Sequence, residues 1–519
     1  MASPDYDVFV TSQSQETNET PFIFKDKQYV EINDTNQGVY SSGQVQFDLT
    51  QIASSSLYFD AKASYLEIPF LIQVETDGTL ATYNAEREIP VIMKNGVHNL
   101  IHSMEVYASG KQVVSTQSFS NIPISYKMLT QATVLDLNTT AGSMLLTDEN
   151  ESMHFIDASL GHITLNQGYG FTNRQAGIIN PANPLYSDFV DETVLTTSRQ
   201  PYAALDAGNK KLNINMIATI PLAHLHDFFA QLPLIKGSYF RIVLNLNLPC
   251  SVRWDDGTKV MSSVPKIVSN TQAIPFQLNL KSSTSPIASS GNDKYLSISA
   301  AVGNQLKKQG CTLHCAMSEF SKAFHSSYTS GDTEKIIKYT DFLSYNNLLN
   351  VEKGQFVQHQ ITSGLGKLRY LLIVPQVSNK GTTQLLPISS PYCSAPTCTA
   401  PMCVLTNFNV SISGRNLYQS NIMYSWQHWH EQISYMGGLD GNPKSELGIK
   451  GGLLSEASWL KGNRFIYVNL SNKDESEDEI PRSVTVNFTN ISKKNLDFYF
   501  FLFYEKEVRM DVVTGEVFI

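Results

Sequence analysis

His224-Leu-His226-Asp227 puts two imidazoles and a carboxylate within four residues, side chains able to hold a transition metal. The spacing speaks against one shared ion. Leu222, Leu225, Phe228, Phe229 and Leu232 recur at helical intervals, and positions i and i+2 of a helix face different ways. Surface or packing histidines are the simpler reading. Cys311 and Cys315 flank His314 at strand spacing, with the two thiols on one face. Cys393, Cys398 and Cys403 stand at five-residue steps in a Pro- and Ser-rich loop. Zinc sites pair cysteines roughly two to four residues apart and need four ligands. Free thiols and no metal are expected. Trp426-Gln-His-Trp-His430 is the densest aromatic cluster. On a helix, Trp426 and Trp429 share a face with Ile422 and Ile433, which reads as a core stripe. A carbohydrate-stacking platform is the alternative, and it needs both indoles exposed.

No nucleophile elbow of the Gly-x-Ser-x-Gly type stands between a strand and a helix. No phosphate-cradling loop is present, and Gly364-Leu-Gly366 lacks the βαβ setting that a dinucleotide site needs. Glu67 and Asp341 are conceivable acid–base carboxylates, but nothing around them marks them out. No catalytic residue, cofactor or metal is assigned.

The elements that would carry these side chains are strands. Val45, Phe47 and Leu49 alternate with polar residues, as do Leu212, Ile214 and Met216, and Phe240, Ile242, Leu244 and Leu246. Helices are expected over Leu222 to Leu232, Asn121 to Thr133 and Asn421 to Tyr435. Charged residues are only 16% of the chain, so neutral polar residues form much of its surface. The net charge of −9 excludes the basic footprint of a nucleic-acid binder. No run of 18 apolar residues exists; the strongest, Phe498 to Tyr504, is strand length. The N-terminus carries no basic and apolar signal sequence, so synthesis and assembly in the cytosol or nucleus are expected. Six cysteines in 519 residues make no disulfide scaffold.

One phrase occurs twice. Glu105-Val-Tyr-Ala-Ser-Gly110-Lys-Gln-Val113 returns 304 residues on as Asn409-Val-Ser-Ile-Ser-Gly414-Arg-Asn-Leu417. Upstream, Tyr65-Leu66 returns as Tyr370-Leu371. A strand, a second strand and a hairpin turn thus recur in order, with Gly110 and Gly414 as structural turns of the repeat. Two copies of one β domain follow: an N-terminal arm at 1–38, a first domain at 39–335 with a long insertion at about 140–205, and a second at 336–519. The Ser-, Gly- and Pro-rich stretch at 282–293 is the better linker by composition, but the repeat offset moves the boundary to about residue 336.

Lys94 to Val106, Ile220 to Phe229, Pro233 to Ile242, Ile337 to Asp341, Leu371 to Pro375, Ser413 to Gln419, Asn487 to Asn490 and Phe498 to Glu505 together resemble the double jelly-roll major capsid proteins of polinton-like viruses and virophages. The resemblance spans about residues 40–519, and it is the order of the segments that is specific. It implies an all-β fold of two tandem antiparallel eight-stranded jelly rolls, with a few short helices and long loops. It also implies a homotrimer that forms a pseudo-hexameric capsomer of an icosahedral virion shell. Neighbouring capsomers and penton or minor capsid proteins would be its partners, with no sequence-specific nucleic acid. Two alternatives remain. Some amidases that release glycans from proteins use two jelly rolls with a carboxylate-lined cleft between them, where Glu67 and Asp341 would serve. A tandem carbohydrate-binding module would use Trp426 and Trp429.

Overall fold

A computed structural model of the chain describes residues 23–36, 38, 40–76, 91–132, 169–179, 201–206, 208, 210–255, 265–278, 295–303, 310–330, 333–362, 364–378, 386, 388–391, 393, 403–436, 454–471 and 480–518. Among the described residues, fourteen strands precede residue 321. They are β1 (Phe24–Asn33), β2 (Gln44–Asp48), β3 (Tyr58–Thr76), β4 (Val91–Met93), β5 (Ile101–Ala108), β6 (Lys111–Val114) and β7 (Tyr202–Leu205). Then come β8 (Lys211–Pro221), β9 (Phe240–Leu246), β10 (Cys250–Asp255), β11 (Lys266–Ser269), β12 (Phe276–Leu278), β13 (Tyr295–Val302) and β14 (Thr312–Phe320). Nine more follow: β15 (Glu334–Val351), β16 (Phe356–Thr362), β17 (Leu368–Val377), β18 (Leu405–Ile412), β19 (Arg415–Asn416), β20 (Ile466–Asn469), β21 (Ser483–Asn490), β22 (Leu496–Asp511) and β23 (Val517–Phe518).

The second half is a sandwich of two four-stranded sheets, β15-β22-β17-β20 facing β16-β21-β18-β19, with β23 added on β22. The first half repeats that order as β1-β14-β3-β8 and β2-β9-β5-β6. Every named pair is antiparallel. The two halves thus have the same eight-stranded connectivity, a jelly roll in each. The first carries extra strands on its larger sheet: β13 extends the edge that β14 lines on β3, the β10–β11 hairpin adds to β13, and β7 adds to β8.

Alternation explains the half-buried strands. In β21 every second residue from Val484 to Asn490 is buried. In β17 and β22 the rule fails, because Tyr370 to Val377 and Leu496 to Phe503 are buried throughout. Such strands are covered on both faces, which is why they read as continuous apolar runs. Cover comes in part from the first half. Its helix Asn121–Gln131 sends Ile122, Tyr126 and Leu129 into the core of the second jelly roll, where Tyr126 meets Phe465 with ring centroids 3.9 Å apart. In return Ile337, Tyr339, Val508, Met510 and Val517 join the first core.

The two repeat turns have one backbone geometry. Ser109 and Gly110 have φ of 47° and 81°; Ser413 and Gly414 have 49° and 84°. Positive φ at both central positions is the turn that matches strand twist in a two-residue hairpin, and it closes β5–β6 and β18–β19 alike. A Cβ on Gly414 would meet nothing within 4 Å, so its need for glycine is conformational. Gly414→Ala is therefore expected to cost about 1 kcal/mol, seen as a lower urea midpoint at unchanged slope. A midpoint equal to or above that of the wild type contradicts this.

Three expectations need correction. Residues 24–33, placed in the N-terminal arm, form β1, an edge strand of the first sandwich; residues 1–22 lie outside the described residues. The helix expected over Leu222 to Leu232 is two short ones, Leu222–Leu225 and Asp227–Gln231. His226 between them is extended, and its ring accepts from the Phe228 N–H, so a side-chain cap restarts the helix. The helix expected from Asn421 begins at Trp426, because Ile422 is held in a two-way backbone bridge to Phe408. The expected linker at 282–293 and most of the insertion at about 140–205 also fall outside the described residues. Within that insertion, the helix Tyr169–Ala176 and β7 are described.

Candidate functional site: the seam between the jelly rolls

A buried polar cluster on this interface is built by β15, β22 and the short helices after β8. Asp341 points inward from β15 with no exposure. Its Oδ1 accepts from the Phe342 N–H at 2.9 Å and lies 3.3 Å from His226 Nε2. Its Oδ2 lies 3.4 Å from the Tyr504 hydroxyl and 3.9 Å from Lys506 Nζ. Because His226 Nδ1 accepts from the Phe228 N–H, the ring proton sits on Nε2 and faces the carboxylate. Lys506 also donates to the Val113 carbonyl at 2.8 Å, and the Tyr339 hydroxyl donates to the same oxygen. Burial pushes the Lys506 ammonium below its ordinary value, and the Asp341 charge works against that shift. Burial likewise pushes the Tyr339 and Tyr504 phenols up.

Further hydrogen bonds tie the seam. Asp227 accepts from the Thr340 N–H at 2.9 Å, and Gln117 accepts from the Ser344 N–H at 2.9 Å. At the C-terminus, the turn after β22 closes on the first jelly roll: Lys236 N–H bonds Val512 C=O, and Ser109 Oγ donates to Gly515 C=O at 2.7 Å. A Cβ on Gly515 would come within 2.2 Å of the Ser238 nitrogen, so this approach requires glycine. Beside the seam lies a small cleft lined by Lys127, His224, Asp227, Thr340, Tyr370 and Phe503 among others.

The candidate residues of the sequence fall in separate places. His224 is exposed while His226 is buried, so the pair does not share one site. Among the described residues no group of His, Cys, Asp or Glu is arranged to hold a metal. Cys311 and Cys315 are buried, and burial pushes the Cys315 thiol up. His314 turns to Glu67 (3.2 Å) and stacks on Tyr65, with centroids 4.5 Å apart. Cys393 and Cys403 are buried, and the Cys403 thiol is pushed up to about 12 by burial; Cys398 lies outside the described residues. Glu67 and Asp341 do not meet: each is held by its own histidine, and Asp341 alone lines the seam. Trp426 and Trp429 stack at 4.5 Å on the helix Trp426–Met436; Trp429 is fully buried, with Trp459 beside both. Exposure of both indoles, which a sugar platform requires, is thus not met.

Sequence reading missed the seam partners Tyr339, Lys506 and Phe119. Lys506 stands between Glu505 and Glu507, so nothing in its sequence surroundings marks it as buried.

No family model matches the chain, and no curated protein matches it. Among solved structures, a chain of the Sputnik virophage, determined by cryo-electron microscopy, superposes with a TM-score of 0.55 at 11% identity, over 98% of this chain and 90% of that one. The mavirus major capsid protein gives 0.49 at 12% identity, over 100% and 94%. The Faustovirus major capsid protein gives 0.47 at 9%, over 95% and 92%. Strand order and superposition agree: the chain has the double jelly-roll fold, which it shares with the Sputnik virophage chain.

Proposed function

We propose that this chain is a viral major capsid protein: three copies associate into a pseudo-hexameric capsomer, and capsomers tile an icosahedral shell. The observation that carries the reading is the pair of jelly rolls with one connectivity, locked into a single body by side chains exchanged across the seam. Two equivalent sandwiches in one chain let a threefold assembly pack as a sixfold one. Long loops between strands would supply material for the outer surface and for contacts between subunits. The role is structural, the place is the virion, and penton or minor capsid proteins would complete the shell. The protein is expected to elute as a trimer near three times 57.8 kDa by size exclusion with light scattering, and as hexagonal particles in negative stain. A stable monomer at the concentrations used for assembly overturns the reading.

A further inference from the structure

Each half of the seam has an uncovered counterpart, one on each jelly roll. On the first jelly roll, the covered side is the hairpin β5–β6 and the segment after it. Val113 is 0% exposed, beneath Tyr339 and Lys506. Phe119 is 7% exposed and meets Tyr499 edge-on at 5.1 Å. On the second jelly roll, the hairpin β18–β19 repeats the turn, and Leu417 follows it as Val113 follows its own. Met423 precedes Tyr424, whose N–H bonds Leu405, as Phe119 precedes Ser120, whose N–H bonds His102. Leu417 is 38% exposed and Met423 56%. Two apolar positions covered in one copy are bare in the other, and large bare apolar residues in register with a buried interface are what a partner would cover.

The covering side has its counterpart too. Tyr65 pairs with His314 and His314 with Glu31; Tyr370 pairs with Phe503 and Phe503 with Phe342. Three residues further along each ladder, Gln28–Met317 takes the place of Tyr339–Lys506, and both are true pairs. In β15 this stretch is half buried by the first jelly roll, with Ile337, Tyr339 and Asp341 turned in. In β1 residues 25–29 are all exposed. The chain therefore carries one junction in full and the two unmatched halves of a second.

We propose that the junction within the chain is repeated between chains: β1 of one copy seats on the Leu417 and Met423 edge of the next. Such a contact is head-to-tail, so it propagates until the ring closes. It rests on the capsid reading above and names the surfaces that reading needs. Because both positions are exposed, Leu417→Glu with Met423→Glu leaves each jelly roll's core intact. The double variant is expected to run with one third of the wild-type mass by light scattering, with its thermal midpoint within a few degrees of wild type. As a second measurement, a Gln28→Cys, Leu417→Cys variant treated with a short bis-maleimide should give dimer and trimer bands on a denaturing gel, absent from each single variant. A trimeric wild type whose glutamate variant stays trimeric and whose cysteine variant gives no such bands overturns the inference and leaves the capsid reading standing. A monomeric wild type overturns both.

Discussion

Moving the protein from pH 7.5 to pH 5 is expected to remove roughly 4 kcal/mol of stability, most of it through two histidines of the first jelly roll. Burial holds His98 down to about 3, with the nearby His224 adding to the shift, and holds His102 down to about 4. The structure explains why. His98 Nε2 donates to Ser125 Oγ at 2.7 Å, since that hydroxyl itself donates to the Asn121 carbonyl. His98 Nδ1 is buried with no hydrogen-bond partner, so a second proton there would be an unsatisfied charged donor. His102 Nδ1 is in the same position, with its ring edge-on to Phe119 at 4.9 Å. Folded values below the ordinary 6.5 mean that the unfolded chain binds more protons throughout this window. Stability is thus complete above about pH 6.5 and falls as the pH drops toward 4. At pH 5 each histidine accounts for about 2 kcal/mol, at about 1.4 kcal/mol per pH unit. Urea unfolding at the two pH values measures the loss. His98→Gln lowers stability at both pH values but should halve the difference between them; an undiminished difference would sink the assignment.

The pattern that was legible in the sequence is the one that local chemistry enforces. A two-residue hairpin turn with both φ positive needs Gly at its second position, so Gly110 and Gly414 stood out and fixed the offset between the halves. The unbroken apolar run Phe498 to Tyr504 announced a strand, and burial of Leu496 to Phe503 on both faces is why it shows no alternation. β1 was not legible, because an exposed edge strand buries little. Lys25, Asp26, Lys27 and Gln28 show no alternation, and the strand is held by its ladder to β14. The stretch Ile422, Trp426, Trp429, Ile433 has helical spacing throughout, yet Ile422 is extended. A bridge to Phe408, and Asn409 bonding both the Tyr418 carbonyl and the Asn421 side chain, override local preference there. The seam was the least legible part. Its members come from residues 109 to 119, 226 to 236, 337 to 344 and 504 to 515, and no periodicity within one segment reports a neighbour that far away in the chain.

Asp341→Ala is expected to cost about 3–5 kcal/mol and to unlink the two jelly rolls. The carboxylate is wholly buried and faces the Phe342 N–H, the His226 Nε2–H, the Tyr504 hydroxyl and the Lys506 ammonium. Deleting it leaves the partly buried Lys506 without its counter-charge and three other donors without this acceptor. Lys506 can relieve the strain by giving up its proton, since burial already lowers its affinity and Asp341 is what raises it. The cost of the substitution therefore shrinks as the pH is raised, because a neutral lysine needs no carboxylate. Asp341→Asn keeps an oxygen for the Phe342 N–H and should cost roughly half as much; adding Lys506→Met removes the stranded charge and should recover part of that loss. Because Tyr339 and Lys506 both hold the Val113 carbonyl, the damage spreads along the interface, and urea unfolding should split from one transition into two. A single transition within about 1 kcal/mol of the wild type for Asp341→Ala would show that the apolar exchange of Tyr126, Phe119, Val508 and Met510, with the remaining hydrogen bonds of the seam, holds the halves together without this carboxylate.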